Sequence, residues 1–172
     1  IPDAQCNGTF GSNAKGRSYG YQTFPDYFTN KQLAFLCEMG DGIELIRQNI
    51  ISMSSEQIEY GIFKSHEQVE SYANAIATYL ALGMSGMADY GSRVCNWHRR
   101  NEQIGNTYGR QGISFSWDFV ESNPFSNSSG CWIGRLNLIC NVISNLPSIS
   151  GSSSSQLDAR LVQQSKSNVI FC

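Results

Sequence analysis

Apolar residues return every three or four positions along two stretches of this chain, the spacing that lines up one face of an α-helix. Leu33, Leu36, Met39, Ile43, Ile46 and Ile50 make the first stripe. Val69, Tyr72, Ala73, Ile76, Leu80, Met84 and Met87 make the second. A shorter third stripe holds Ile133, Leu136, Ile139, Cys140 and Ile143. These patterns predict helices over Thr29–Gln48, His66–Asp89 and Trp132–Asn145, and therefore a mainly α chain. Thr29 is a good N-cap, and Ser65 followed three residues later by Gln68 is a capping-box arrangement. Gly40 and Gly42 weaken the middle of the first helix by roughly 1 kcal/mol each relative to alanine.

The segments between the stripes read differently. Residues 1–28 are rich in Gly, Asn and Ser, an irregular lead-in. Its aromatic residues Tyr19, Tyr21, Phe24, Tyr27 and Phe28 are expected to cover a local core, with packing on something larger as the alternative. Residues 52–64 read as a linker or a short strand, and the second helix as able to run on toward Trp97. Ile113, Phe115, Trp117 and Phe119 alternate with Ser114, Ser116 and Asp118, the period of two that suits a strand or a buried extended segment. Pro124 and the run Ser126–Gly130 break the chain, and residues 148–156 form a Ser-rich linker. The 172 residues suffice for one domain with a sizeable core. The expected organisation is a helical region over 1–147, the linker, and a segment over 157–172 that ends in a strand at 167–172. A start at Ile1 and an end on an apolar strand read as an internal piece of a larger protein.

Charge and cysteines narrow the classes. Twelve Lys plus Arg against 14 Asp plus Glu leave a net charge of −2, so any nucleic-acid contact must come from a local patch. The six cysteines show no CxxC spacing, and no signal peptide precedes them. Three of them, Cys37, Cys95 and Cys140, fall in expected helical stretches. Reduced thiols and a cytoplasmic location are therefore expected, with a secreted disulfide framework as the alternative. Cys95 and His98 form a lone C-x-x-H, too little for a zinc site, and no metal is expected. The longest apolar run, residues 76–87, falls short of the ~20 residues that span a bilayer.

The stretch Gly109-Arg110-Gln111 through Trp117-Asp118-Phe119-Val120-Glu121-Ser122-Asn123-Pro124-Phe125 resembles a signature of a family of large bacterial and archaeal adenine-specific DNA methylases. Three further blocks match in order: Ile1-Pro2-Asp3, Phe28-Thr29-Asn30-Lys31-Gln32-Leu33, and Ala77-Thr78-Tyr79-Leu80-Ala81-Leu82. The family has proline and arginine where this chain has Asn30 and Lys31, and an acidic, proline-rich continuation where it has Ala4-Gln5-Cys6-Asn7. The resemblance implies a helical insertion region of a Rossmann-like methyltransferase, with the C-terminal strand belonging to the catalytic sheet. It implies S-adenosylmethionine as the parent enzyme's cofactor, and as partners DNA and the remainder of the methyltransferase chain. The family's Gly-rich cofactor loop and Asp-Pro-Pro-Tyr tetrapeptide do not occur between Ile1 and Cys172. Neither a catalytic nor a cofactor-binding residue is therefore expected in this chain. A stand-alone helical nucleic-acid-binding or adaptor module is the alternative.

Candidate contacts cluster in one stretch. Arg93, Arg99, Arg100 and Arg110 are a third of the 12 cationic side chains, so the basic charge is concentrated there. With Trp97, which offers an unstacked base an aromatic face, they form the candidate nucleic-acid interface. The competing reading is a solvated helix end whose cations suit the dipole. Trp117, Asp118, Glu121 and Asn123 are expected to be structural, with the polar groups capping turns or holding Arg110 and backbone amides.

Overall fold

The computed structural model describes residues 4–5, 19–59, 62–109, 116–128 and 130–146. The Ser-rich linker, the strand at 167–172, the Ile1-Pro2-Asp3 block, Arg110, Cys6 and Cys172 lie outside the described residues. The fold is mainly α. Helix α1 spans Asn30–Glu59, α2 spans His66–Ala88 and α3 spans Trp132–Asn145. A two-residue hairpin, β1 (Trp97–His98) and β2 (Gln103–Ile104), projects between α2 and α3.

Both long helices begin where a Ser/Thr-x-x-Gln box stands. The Thr29 hydroxyl accepts from Gln32 N at 3.2 Å, and Gln32 Oε1 accepts from Thr29 N at 2.8 Å. Two amides of the first turn, which have no partner inside a helix, are thereby satisfied. Ser65 Oγ accepts from Gln68 N at 3.4 Å, while Gln68 Oε1 reaches one residue further back, to Lys64 N at 2.9 Å.

α1 is longer than its pattern predicts. It passes through residues 52–59, read as linker or strand, because neither Gly nor Pro interrupts the chain from Ile43 to Glu59. Ser52 fits the helix by donating its hydroxyl to Asn49 O at 2.9 Å. α2, by contrast, stops at Ala88 rather than running toward Trp97.

α1 and α2 run antiparallel. Arg47 joins them by donating to Asn74 Oδ1 at 2.7 Å and facing Glu70 at 3.8 Å, while Glu44 at 3.0 Å on its own helix steadies it. Val69, Ala73, Gly83 and Met87 are the buried residues of α2, whereas Tyr72 stays exposed beside Phe63. α3 lies on the Gly83 and Gly86 side of α2. A Cβ on Gly83 would come within 3.1 Å of the Trp132 ring, and one on Gly86 within 3.2 Å of Arg135 Cδ. The face that α3 turns inward is thus Trp132, Arg135, Leu136 and Ile139. Ile133, Cys140 and Ile143, expected on that face, are exposed, and α3 has no fully buried residue.

Tyr21, Tyr27 and Val94 form a buried apolar cluster, with Phe28 against it. Of the lead-in aromatics, Tyr21, Tyr27 and Phe28 thus cover a local core, while Tyr19 and Phe24 are exposed. Of the alternating segment, Ile113, Ser114 and Phe115 lie outside the described residues; in the rest, Trp117 and Asp118 form a bend and no strand, and Trp117 and Phe119 are exposed. Their alternation reflects a segment crossing the surface, with its backbone tied to the interior by Val120 N donating to Cys95 O at 2.8 Å.

Candidate nucleic-acid interface

Asp89 ends α2 and organises the turns that lead away from it. Its carbonyl accepts from Thr107 N at 2.7 Å and from Thr107 Oγ1 at 2.8 Å. Its carboxylate accepts from Tyr108 N at 2.8 Å and Asn106 Nδ2 at 2.7 Å. Residues 106–108 are thereby clamped to the end of the helix. Behind the clamp, Ser92 Oγ and Thr107 Oγ1 sit 2.7 Å apart, and Cys95 Sγ lies 3.5 Å from the first and 3.4 Å from the second. All three residues are buried, so each polar atom is satisfied by another rather than by water. Cys95 stands in this turn, not in a helix.

The hairpin grows from the clamp in antiparallel register, Trp97 opposite Ile104 and His98 opposite Gln103. Its connection, residues 99–102, includes Glu102 at φ +49°. Gly105 comes directly after β2. A Cβ there would come 2.6 Å from His98 Nε2 and even closer to Asn96 Oδ1. Trp97, Arg99 and Arg100 are exposed on this hairpin.

The structure thus divides the arginines. Arg93 is built into the scaffold: its amide donates to Tyr27 O at 2.8 Å, its guanidinium to Asp26 O at 3.3 Å, and it lies 5.0 Å from the Tyr21 ring centre. Arg99 and Arg100 stand on the hairpin, ten or more residues past the last turn of α2, which contains no basic residue. The helix-end reading of these cations is therefore wrong. Chain order placed them near α2, which ends at Ala88, within one residue of its expected end at Asp89.

The signature segment beyond Ser116 crosses the same side of the fold. Asn123 Oδ1 accepts from Phe125 N at 3.0 Å, and its carbonyl takes the amide and hydroxyl of Ser126, so it holds a turn as expected. Glu121 accepts from Thr29 Oγ1 at 3.5 Å and lies 3.9 Å from Lys31 Nζ, an exposed pair of small energetic weight. The Asp118 carbonyl accepts from Ser116 Oγ at 2.6 Å. Ser122 Oγ donates to Tyr90 O at 3.0 Å, and Trp132 N to Pro124 O at 2.7 Å.

Two cavities flank this segment. The larger, about 520 Å³, lies among Gln32 and Phe35 of α1, Met87 near the end of α2, and Asn123, Pro124 and Phe125. Phe35 and Phe125 meet edge to face, 5.7 Å between ring centres, and Gln32 Nε2 is buried with no partner among the described residues. The smaller, about 350 Å³, is lined by Tyr19, Tyr21, Asp26, Arg93, Trp117 and Phe119. Thr23 N and Oγ1 and Gln22 N all donate to Asp26 Oδ2. The backbone bond from Thr23 is the chief reason that the Asp26 carboxyl titrates below its ordinary 3.8; desolvation opposes it, and the Thr23 hydroxyl, the Gln22 amide and lastly the Arg93 charge add to the lowering.

Sequence reasoning missed Gln32, Asp26, Tyr19 and Tyr21 as cavity residues. Thr23-x-x-Asp26 is a readable capping pattern, but nothing in it announces that Arg93 and Trp117 will join it.

Cys37, Cys95, Cys131 and Cys140 are free thiols. Cys131 Sγ accepts from Gly134 N at 3.3 Å, an N-cap for α3. No group of three or more His, Cys, Asp or Glu able to hold a metal occurs among the described residues. No described helix is long and apolar enough to cross a membrane. Set against models of known families, curated proteins and solved structures, the chain gives no match.

Proposed function

We propose that this chain is the helical region of an S-adenosylmethionine-dependent adenine-specific DNA methyltransferase, and that it contributes DNA contacts while other parts of the parent enzyme supply cofactor and chemistry. One observation carries the reading. Two of the four blocks of the resemblance, Phe28–Leu33 and the part of the signature from Trp117 to Phe125, lie 84 residues apart at the nearest and pack against each other. Thr29 and Lys31 reach Glu121, and the two blocks share the walls of the larger cavity. Matches that fell together by chance would have no reason to meet in space.

The chain has none of the family's apparatus for activating the methyl donor, so its role in this reading is to hold the substrate. Trp97, Arg99 and Arg100 on the hairpin fit that role, with guanidinium groups for phosphates and an indole for a base. Each phosphate neutralised on duplex DNA adds about 0.9 to the slope of log affinity against log salt. Replacing both Arg99 and Arg100 with alanine should lower that slope by roughly two while the helical circular dichroism persists. Unchanged affinity and slope would remove the hairpin from the DNA interface. Parentage has its own test in the coding DNA on the 3′ side of the Cys172 codon, where the reading requires an Asp-Pro-Pro-Tyr tetrapeptide. Salt-dependent DNA binding without that tetrapeptide would instead favour a stand-alone nucleic-acid-binding module.

A further inference from the structure

We infer that the smaller cavity is a receptor for a single unstacked nucleobase, with Trp117 as its stacking platform. The inference rests on the DNA-contact reading above and assigns it a second site, distinct from the hairpin. Trp117 is 82% exposed, the highest value among the large apolar side chains of the described residues, although indole is among the costliest groups to leave in water. It is positioned there, edge-on to Tyr19 with ring centres 5.4 Å apart. Phe119 and Tyr21 continue the aromatic wall, and the cavity of about 350 Å³ has room for one planar base.

The polar lining suits the edge of a base. Asp26 is ionised at neutral pH, and its Oδ2 already takes three hydrogen bonds, which leaves Oδ1 as an acceptor. Arg93 spends one donor on Asp26 O and presents the rest of a guanidinium fixed over Tyr21. An unstacked base offers donors and acceptors side by side on its edge and a π-face for stacking, and matches both halves of this lining. A proline ring, the other common guest of aromatic grooves, has the flat face but no donor for the carboxylate. Arg93 and Arg99 are six residues apart, so their Cα atoms lie within about 22 Å of each other. A strand of a dozen nucleotides reaches both sites, within the range of 4–16 or so that single-strand binders occupy.

The test uses the full chain and a fluorescein-labelled twelve-nucleotide single strand, with its duplex alongside. Trp117→Ala should weaken single-strand binding roughly 5- to 150-fold, the span for loss of one stacked base. The salt slope should not change, because no ion pair is lost. Trp117→Phe should recover most of the affinity, and the intact duplex should be much less affected. Should the alanine variant lose the wild-type circular dichroism, Trp117→Leu keeps the apolar bulk without the aromatic face and carries the same test. Single-strand affinity within twofold of wild type, together with a lower slope in the Arg99→Ala/Arg100→Ala variant, overturns the base receptor and leaves the DNA-contact reading standing. Equal weakening of single strand and duplex also overturns it, since a paired base cannot enter. Binding of a proline-rich peptide in place of either oligonucleotide, or no oligonucleotide binding at all, overturns both readings.

Discussion

The helices and the irregular stretch between α2 and α3 are held together in opposite ways. The helices are local: each follows its own apolar stripe and its own cap, and α3 contributes no fully buried residue. Leu45, Met53, Tyr72, Leu82, Leu138 and Val142 all remain exposed on them. The described residues between 89 and 131 have almost no regular structure, yet they include Ser92, Val94, Cys95, Thr107 and Cys131, all buried. Its order comes from contacts between residues distant in the chain, with Asp89 bonding to each of residues 106–108 and Ser92 and Cys95 holding Thr107 from behind. Regular structure and structural rigidity therefore separate in this molecule, and the functional candidates, Trp97, Arg99, Arg100 and Trp117, hang from the irregular part.

The same substitution in the two regions breaks or sustains this contrast most sharply. Gly130 has φ +82°, and a Cβ there would lie 2.6 Å from Tyr90 Cβ. Gly130→Ala adds the left-handed penalty of about 1–2 kcal/mol to an overpacking cost of about 1–3 kcal/mol. A loss of about 3 kcal/mol in urea unfolding is expected, and a loss under 1 kcal/mol would mean that the stretch yields easily.

Thr107→Val removes a buried hydroxyl and keeps its shape. Ser92 Oγ loses its closest hydroxyl partner, and the Asp89 carbonyl loses one of its three donors, keeping Thr107 N and Cys95 Sγ. Leaving buried polar groups short of partners costs about 1–3 kcal/mol, read from the shift of the urea midpoint. A neutral result would show that the polar cluster adds specificity but no stability.

In α1 the sign reverses. A Cβ on Gly40 or Gly42 would meet nothing within 4 Å. Alanine at either position should stabilise the chain by about 0.5–1 kcal/mol, measured as a rise in thermal midpoint. Destabilisation would mean that the middle of α1 is packed against something in solution.

The smallest effect is expected at Asp26. Its folded pKa lies below the ordinary value of 3.8, so its contribution to stability is complete above that value and fades as pH falls through the lower folded pKa. Wild type and Asp26→Asn should therefore differ in melting temperature at pH 6 and converge as the pH falls through the lowered folded pKa of Asp26. A constant gap across that range would assign the cap to hydrogen-bond shape rather than charge.

Much of the fold was legible in the sequence because it is local physics. Three helices stand where 3.6-residue periodicity puts them, and Thr29/Gln32 and Ser65/Gln68 form capping pairs whose partners are only three positions apart. The errors fell where periodicity carries no information. A Ser-rich tail on the first stripe looked like linker, although helix persists where no Gly or Pro stops it. The alternation that reaches Trp117 and Phe119 looked like strand, although among the described residues these two are exposed and stand in no strand.

What the tertiary structure alone decided is which distant residues act together. Four arginines looked like one patch because chain proximity was the only measure to hand. Folding sent Arg93 inward to Tyr21 and Asp26, some seventy residues earlier, and left Arg99 and Arg100 on a hairpin. Thr29 and Glu121 meet across 92 residues, and Asp26, Arg93 and Trp117 line one cavity. Helix caps and stripes depend on energies between neighbours in the chain and can be read in order along it. The sites depend on contacts closed by the packing of α1 on α2 and by the Asp89 clamp, and only three-dimensional packing decides which side chains those contacts bring together.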